Sequence, residues 1–417
     1  MREVAFTIVA KNYYGLALVL RKSFLSFNPN FDFKIFIADE LDVDKKLDLD
    51  LNTLISRNAL DIPKELWAEM SFKYDLTEFC TSIKPTCFKY LISKGYSKLY
   101  YFDPDILFFN SIDSISQVLN TYDIVLTPHQ LVMEKEYTGD ISEKNLLGTG
   151  VFNLGFCGIR NSDTSLNMLD WWEERLKKLC FSEPLDFLFT DQKIIDLLPA
   201  LMSANQLYIS RDLGLNVAPW NFSEREVLQL DNKFMVRERN KPESLNYDLT
   251  FVHYSGYDYK LLIKGENRQN NIETIKTYDD ILTILECYKM QILDAKEIFS
   301  MSIELNYSYN NFNNGVPILK FHRRLYNGWV NRDQYRENPF DISLSFYCLL
   351  KKHKMLTKPQ GLDNLTVKNI NNPNRKIASS RLFFRIMLKV IGIRRYIVIV
   401  KLFRYFAKFE RHIFLLD

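Results

Sequence analysis

Two aspartates one residue apart, Asp103 and Asp105, follow the apolar run Tyr100-Tyr101-Phe102 and precede Ile106-Leu107-Phe108. In an extended chain residues i and i+2 point to the same side, about 6 to 7 Å apart, so two carboxylates at a strand end can converge on one hard cation. Pro104 stiffens the link between them. The pattern points to a divalent metal. A plain turn is the alternative for an isolated Asp-x-Asp.

Two kinds of enzyme place such a pair after a strand. Phosphatases that use the first Asp as nucleophile carry it near the chain start and follow it with Thr or Val, whereas here about a hundred residues precede it and Ile106 follows. Nucleotide-sugar transferases place it after a nucleotide-binding βαβ half, where a metal neutralises the diphosphate leaving group. The position favours the second.

The elements that must hold these residues read as an α/β domain. Val4–Ala10 is a short apolar run ending at Lys11-Asn12-Tyr13-Tyr14-Gly15, and a helical period follows through Leu16, Val19, Leu20 and Phe24. Phe33–Ala38 repeats the pattern and ends at Asp39, Ser97–Phe102 runs into Asp103, and Asp123–Thr127 ends at Pro128-His129. Repeated strand, loop and helix units imply a parallel sheet with its site at the carboxyl strand ends. Ser165–Leu179 reads as a helix, a further helical stretch starts at Asp191, 231–250 reads as irregular, and Leu249–Tyr254 reads as a last strand. The expected organisation is a catalytic domain over 1–268, an appended, mainly helical region over 269–350 and a linker with a basic amphipathic tail over 351–417.

The chain of 417 residues, 47% hydrophobic and 25% charged, with 31 Phe and 23 Tyr, is globular in composition and excludes a disordered or disulfide-stapled protein. Its 54 basic and 51 acidic residues leave a net charge of +3, too little to argue for nucleic acid. Six scattered cysteines with no CxxC pair read as reduced core thiols. The opening MREVAFTIVA is too short in its apolar part for a secretory leader, and no window reads as a transmembrane helix. A cytoplasmic location is the expectation. Between Arg375 and Asp417 eleven Lys or Arg stand against two acids among Phe, Ile, Leu and Val, which suits an anionic membrane surface at the inner face of the cell membrane. A helix packing on the protein itself or on a partner subunit is the other reading.

Several ordered segments together give a sharper indication. Thr7-Ile8-Val9-Ala10-Lys11-Asn12-Tyr13, Tyr101 to Ile106, Gly150-Val151-Phe152-Asn153-Leu154-Gly155-Phe156, Asp170-Trp171-Trp172, Asp191-Gln192, Asn216 to Asn221 and His253-Tyr254-Ser255-Gly256-Tyr257 resemble bacterial GT-A glycosyltransferases of the glycogenin and lipopolysaccharide galactosyltransferase group. The resemblance covers residues 1 to 265 and weakens towards 350. It implies a Rossmann-like mixed sheet flanked by helices, a nucleotide-sugar donor, most often a UDP-sugar, and a glycan or lipid-linked acceptor. It places Asp103, Asp105 and His253 on the metal, an imidazole beside carboxylates favouring Mn²⁺ over Mg²⁺. It places Ala10, Asn12, Tyr13, Asp39 and Lys84 at the donor, and Asn153 and Gly155 beside the sugar. Asp191 and Gln192 would stand at the reacting anomeric carbon of a retaining enzyme. Gly256 and Lys260 would approach the diphosphate, although Lys260 follows Gly256 by four residues and no Pro-Trp follows it. Trp171 and Trp172 continue a helical apolar stripe and read as core, whereas Trp220, Asn221 and Arg225 follow a turn beside the acceptor side. A nucleotide-sugar hydrolase and a non-catalytic sugar-nucleotide scaffold are the competing functions.

Overall fold

The computed structural model describes residues 2–41, 47–231, 233–270, 278–333, 337–356 and 373–417. The chain divides into two compact units, Met1–Asp61 with Leu76–Tyr307, and Ile62–Asp75 with Ser308–Asp417.

The first unit is built on a seven-stranded mixed sheet. Its strand order is Leu207–Ile209, Ile124–Leu126, Phe156–Arg160, Lys98–Phe102, Glu3–Val9, Asp32–Ile37 and Thr53–Ile55. Glu3–Val9 runs parallel to both Asp32–Ile37 and Lys98–Phe102, and Phe156–Arg160 runs antiparallel to its two neighbours. From Glu3–Val9 the chain first winds outward through Asp32–Ile37 to Thr53–Ile55, then returns to add Lys98–Phe102 on the other side. That reversal opens a crevice at the carboxyl ends of Glu3–Val9 and Lys98–Phe102. Ala10–Tyr13 and Asp103–Asp105 leave the sheet there.

The strands are buried on both faces, so they read as unbroken apolar runs: Val4, Ala5, Phe6, Ile8 and Val9 are all inaccessible or nearly so. Helix Tyr14–Phe27 buries Ala17, Leu20 and Phe24 against the sheet, with Phe24 edge-on to Phe108 at 5.0 Å between ring centroids. Helix Asp163–Leu179, capped by Ser162 on the Ser165 N–H, buries Trp172 completely and leaves Trp171 half-buried under Arg175.

Two elements depart from the sequence expectation. Residues 231–250 are not wholly irregular: Lys233–Glu238 pairs antiparallel with Arg225–Leu230 and with Tyr247–Asp248. Its charged residues pair across the ladder, as Arg237 does with Glu226 at 2.7 Å, and this hides the alternation of buried Val227 and Val236. The last strand, Phe251–His253, lies outside the large sheet and forms a two-stranded ribbon with Ile106–Phe108. Helices Asp279–Asp294 and Lys296–Ile303 complete this unit.

The second unit is helical. Helix Lys64–Lys73 packs with Lys320–Asp333 and Ser345–Lys352 around Phe72, which is fully buried and touches the rings of Phe312, Tyr326, Phe340 and Phe346. Arg323 ties the helix end by donating to the carbonyls of Phe72 at 2.7 Å and Tyr74 at 2.9 Å. The tail is a helix, Pro373–Phe406, interrupted at Gly392 with φ of 73°, a left-handed conformation that glycine adopts without strain. No helix among the described residues is long and apolar enough to cross a membrane.

Candidate active site

Tyr101 and Asp103 share one face of their strand, so the Tyr101 hydroxyl reaches Asp103 Oδ1 and donates to it at 2.6 Å. Burial pushes the Tyr101 phenol well up, so it keeps the proton it donates. The second oxygen, Oδ2, turns to His253, whose Nε2 lies 3.7 Å from it and 3.1 Å from Asp105 Oδ1. The ribbon brings these residues together: His253 pairs with Ile106, and the Tyr254 N–H donates to the Asp105 carbonyl at 2.9 Å. One ligand atom from each of Asp103, Asp105 and His253 lies within 4.8 Å of the others.

The back of the imidazole fixes its tautomer. Asn153 Oδ1 accepts from the Gly155 N–H and from Asn216 Nδ2, both at 3.1 Å, so it is the oxygen of the amide that faces His253 Nδ1 at 3.2 Å. An acceptor there requires Nδ1 to carry the proton, which leaves Nε2 to meet a cation. Two carboxylates and a correctly oriented imidazole form a donor set that suits a divalent metal. A Cβ on Gly155 would stand 2.6 Å from His253 Nδ1 and 2.7 Å from Asn153 Oδ1, so only glycine fits.

Charge follows the geometry. Burial pulls the His253 imidazole down, but Asp105 and Asp103 outweigh it and hold it above its ordinary value. Burial raises the Asp103 carboxyl, with Asp105 adding to it against the pull of Lys84 and His253. Without a cation the cluster therefore retains protons that a metal must displace.

Behind Asp103 lies a buried ion pair. Lys84, at the start of helix Lys84–Ser93, bonds Asp191 Oδ2 and donates to the Leu154 carbonyl at 2.8 Å. Its ammonium stands 3.9 Å above the Tyr101 ring. Asp191 precedes the helix Gln192–Ile195, yet its side chain makes no cap bond and instead takes Lys84 and the Thr190 hydroxyl, 3.2 Å away. Gln192 donates to the Thr149 carbonyl at 2.9 Å and accepts weakly from the Leu154 N–H at 3.4 Å.

The residues named at the first strand end are present at the crevice. Ala10 and Asp39 are fully buried, and Asp39 Oδ1 accepts the Lys11 N–H at 2.8 Å. Asn12 has its side-chain oxygen buried without a hydrogen-bond partner among the described residues. Tyr13 packs on Tyr259, and its phenol is raised by burial. Gly256 has φ of 80°, and Lys260 is exposed on the short helix Tyr259–Leu262. Trp220 and Asn221 flank the site, whereas Arg225 is buried against the Leu213 and Leu215 carbonyls.

Beside the cluster opens a cavity of about 1070 Å³, with Asn153, Gln192 and Ser255 on its inner side. Its outer wall includes Leu147, Phe187 and Phe189. Phe187 is 76% exposed with φ of 59°, a conformation unfavourable for an aromatic residue. His129 and Trp220 also line it. His129 stands just past the strand Ile124–Leu126, and its place at a carboxyl strand end is the one signal of it in the sequence. Phe187 and Phe189 carried no such signal.

No family model matches the chain. YfnF of Bacillus subtilis (strain 168) is 26% identical over 296 residues, which span 69% of this chain and 91% of that protein. YfnD of the same organism is 23% identical over 249 residues, 58% of this chain and 72% of that protein. Among solved structures the chain is similar to the galactosyltransferase LgtC in complex with donor and acceptor sugar analogues, with 14% identity, 70% of this chain and 95% of that chain covered, and a TM-score of 0.40. It is also similar to a glycosyltransferase involved in glycosylation of the major capsid of PBCV-1, with 11% identity, 62% and 95% coverage and a TM-score of 0.34.

Two outcomes follow from this geometry. Gly155→Ala displaces the imidazole and weakens Mn²⁺ binding about 10- to 100-fold by calorimetry, with the fold retained by circular dichroism; unchanged affinity would show that His253 is not held through this contact. Mn²⁺ affinity also falls as pH is lowered through the His253 titration, which lies above the ordinary 6.5 in the metal-free protein, and binding releases protons to the buffer. A flat profile between pH 8 and pH 6, taken as about one unit either side of neutrality, contradicts the ligand set.

Proposed function

We propose that the chain is a metal-dependent glycosyltransferase of the GT-A type, which moves a sugar from a nucleoside diphosphate donor, a UDP-sugar by family resemblance, to a cell-surface glycan or lipid-linked acceptor with retention. The observation that carries the reading is the convergence of Asp103, Asp105 and an Nε2-presenting His253 at the sheet's switch point, beside a cavity large enough for sugars. A divalent cation held by these three residues would supply positive charge to the departing diphosphate.

The remaining residues have positional roles. Asn12, whose side-chain amide oxygen has no partner among the described residues, and Ala10 and Tyr13 lie where a nucleoside would enter the crevice. Asp39 holds the Lys11 turn that shapes it. Lys84 fixes Asp191, and Asp191 with Thr190 positions Gln192 at the cavity wall. Gly155 and Gly256 allow close backbone approach.

Asp191 supports retention by what it lacks. A carboxylate committed to Lys84 and Thr190 is badly placed to act as a general base for inversion. In the retaining step the bond from the anomeric carbon to the diphosphate oxygen breaks with its electron pair on that oxygen. The acceptor hydroxyl oxygen bonds the same carbon on the same face, and its proton passes to the departing phosphate oxygen. Gln192 lines the face where charge develops.

The tail supports peripheral contact with an anionic membrane. Leu382, Phe383, Val390, Ile393, Val398 and Phe403 are all more than half exposed on the helix that carries most of the tail's cations.

Melting of the full chain across a panel of nucleoside diphosphates with Mn²⁺ tests the donor site: one nucleotide raises the midpoint, and chelator or Asp105→Ala removes the shift. No shift with any nucleotide sinks the reading, and full-rate donor cleavage without acceptor replaces it with a hydrolase. For the tail, Arg385→Glu, Lys389→Glu, Arg394→Glu and Arg395→Glu together abolish co-sedimentation with phosphatidylserine vesicles at low salt, while the native chain ignores phosphatidylcholine vesicles. Equal sedimentation of both proteins removes the membrane role.

A further inference from the structure

Two polar groups in the cavity wall take no part in the metal cluster or in the Lys84–Asp191 pair. His129 is 5% exposed, and its backbone N–H donates to the Val151 carbonyl at 2.9 Å. Its Nδ1 lies 2.8 Å from the Gly150 carbonyl. A carbonyl can only accept, so Nδ1 carries the ring proton and Nε2 presents a bare lone pair. Nε2 has no protein partner among the described residues.

Trp220 is 6% exposed, and its indole N–H is buried with no hydrogen-bond partner among the described residues. A buried donor left unpaired is costly, so its retention calls for an explanation. The indole stands edge-on to both imidazoles, 5.2 Å from the His129 centroid and 5.1 Å from that of His253. One ring therefore links the bare acceptor on His129 to the cation cluster.

We propose that His129 Nε2 and Trp220 Nε1 form a hydroxyl-reading subsite of this cavity, which takes one hydroxyl or a vicinal pair of hydroxyls of the acceptor sugar. The assignment rests on the transferase reading. A hydroxyl both donates and accepts, and so satisfies the bare imidazole nitrogen and the orphan indole N–H together. A carboxylate or a phosphodiester has no proton for Nε2, and an ammonium has no lone pair for the indole. Burial lowers the His129 imidazole to about 4, which keeps it an acceptor at any working pH. Its position, one indole away from His253, suits the acceptor, whose nucleophilic hydroxyl must lie near the metal-bound diphosphate.

The test uses the full chain with Mn²⁺ and the nucleoside diphosphate that shifts its melting, probed with methyl glycopyranosides by saturation-transfer NMR. The expected result is that at least one glycoside binds the native chain, and that Trp220→Phe, which keeps the ring packing and removes the N–H, weakens it about 10-fold or more. His129→Phe does the same. One monodeoxy analogue of that glycoside binds the native chain and W220F equally, which identifies the hydroxyl. Should H129F fail to fold, W220F and the deoxy series decide alone. Unchanged glycoside binding in W220F overturns the proposal, as does a native chain that takes the nucleotide but no glycoside, since the two groups then hold a buried water only. Failure of every nucleotide to shift the melting removes the transferase premise instead, and this assignment with it.

Discussion

The structure depends on a short antiparallel ribbon. Ile106–Phe108 and Phe251–His253 pair over three residues each, and that pairing alone puts an imidazole opposite two carboxylates about 150 positions earlier in the chain. Register is unforgiving in such a ribbon, because a slip of one residue turns His253 to the opposite face and presents Val252 or Tyr254 to the aspartates. The surroundings lock it. Phe251 and Phe108 are in the aromatic core with Phe24, Phe102 and Phe156, while Val252 and Leu107 belong to the second apolar cluster on the other side. Both faces of the ribbon are thus committed to burial, and the placement of His253 against the two aspartates is fixed by hydrophobic packing.

The second constraint is electrostatic. Lys84 and Asp191 are buried to within a few per cent, in a place where desolvating two charges costs more than their attraction returns unless further bonds satisfy them. Those bonds exist: Leu154 O and the Tyr101 ring on the lysine, Thr190 on the aspartate, and the Trp172 indole donating to the Asp191 carbonyl at 3.1 Å. Each partner belongs to a different element, so the pair joins helix Lys84–Ser93, helix Asp163–Leu179 and the strand end at Tyr101 around one point. Tyr101 connects this point to the cluster of Asp103, Asp105 and His253, since its ring faces Lys84 and its hydroxyl faces Asp103. Loss of either charge would leave the other stranded in the interior.

What the sequence made legible is whatever short-range spacing encodes. The strand ends at Ala10, Asp39 and Asp103 are visible because apolar runs stop there, and the aspartate pair because i and i+2 share a face. His253 was reached only through the resemblance, since nothing local marks it as facing Asp105. The bonds of Asp191 to Lys84 and of Asn153 to His253 are between elements far apart in sequence, and such pairs have no periodicity. The same holds for the second unit, where Ile62–Asp75 leaves its sequence neighbours to pack with residues beyond 308. The strand Lys233–Glu238 was obscured for another reason: its cross-strand charges mimic a solvated loop.

The tail poses the opposite problem, because its pattern is plain and its physics is unfinished. A soluble face rarely leaves a contiguous set of Leu, Ile, Val and Phe side chains open to water, and here Val390 at the Gly392 bend is 77% exposed. The end of the tail is not free: Gly328 admits the Glu410 backbone, Phe321 meets Phe409 edge-on at 5.2 Å, and Arg332 pairs with Asp417 at 2.9 Å. Helix Lys320–Asp333 thus holds the last turn in place, and among the described residues nothing covers these apolar side chains of the helix before it. A protein partner would favour an interface core depleted of charge, whereas cations are spread through this helix from Arg375 to Arg404. On the proposed membrane reading, long basic side chains reach headgroups while the apolar ones enter the boundary beneath.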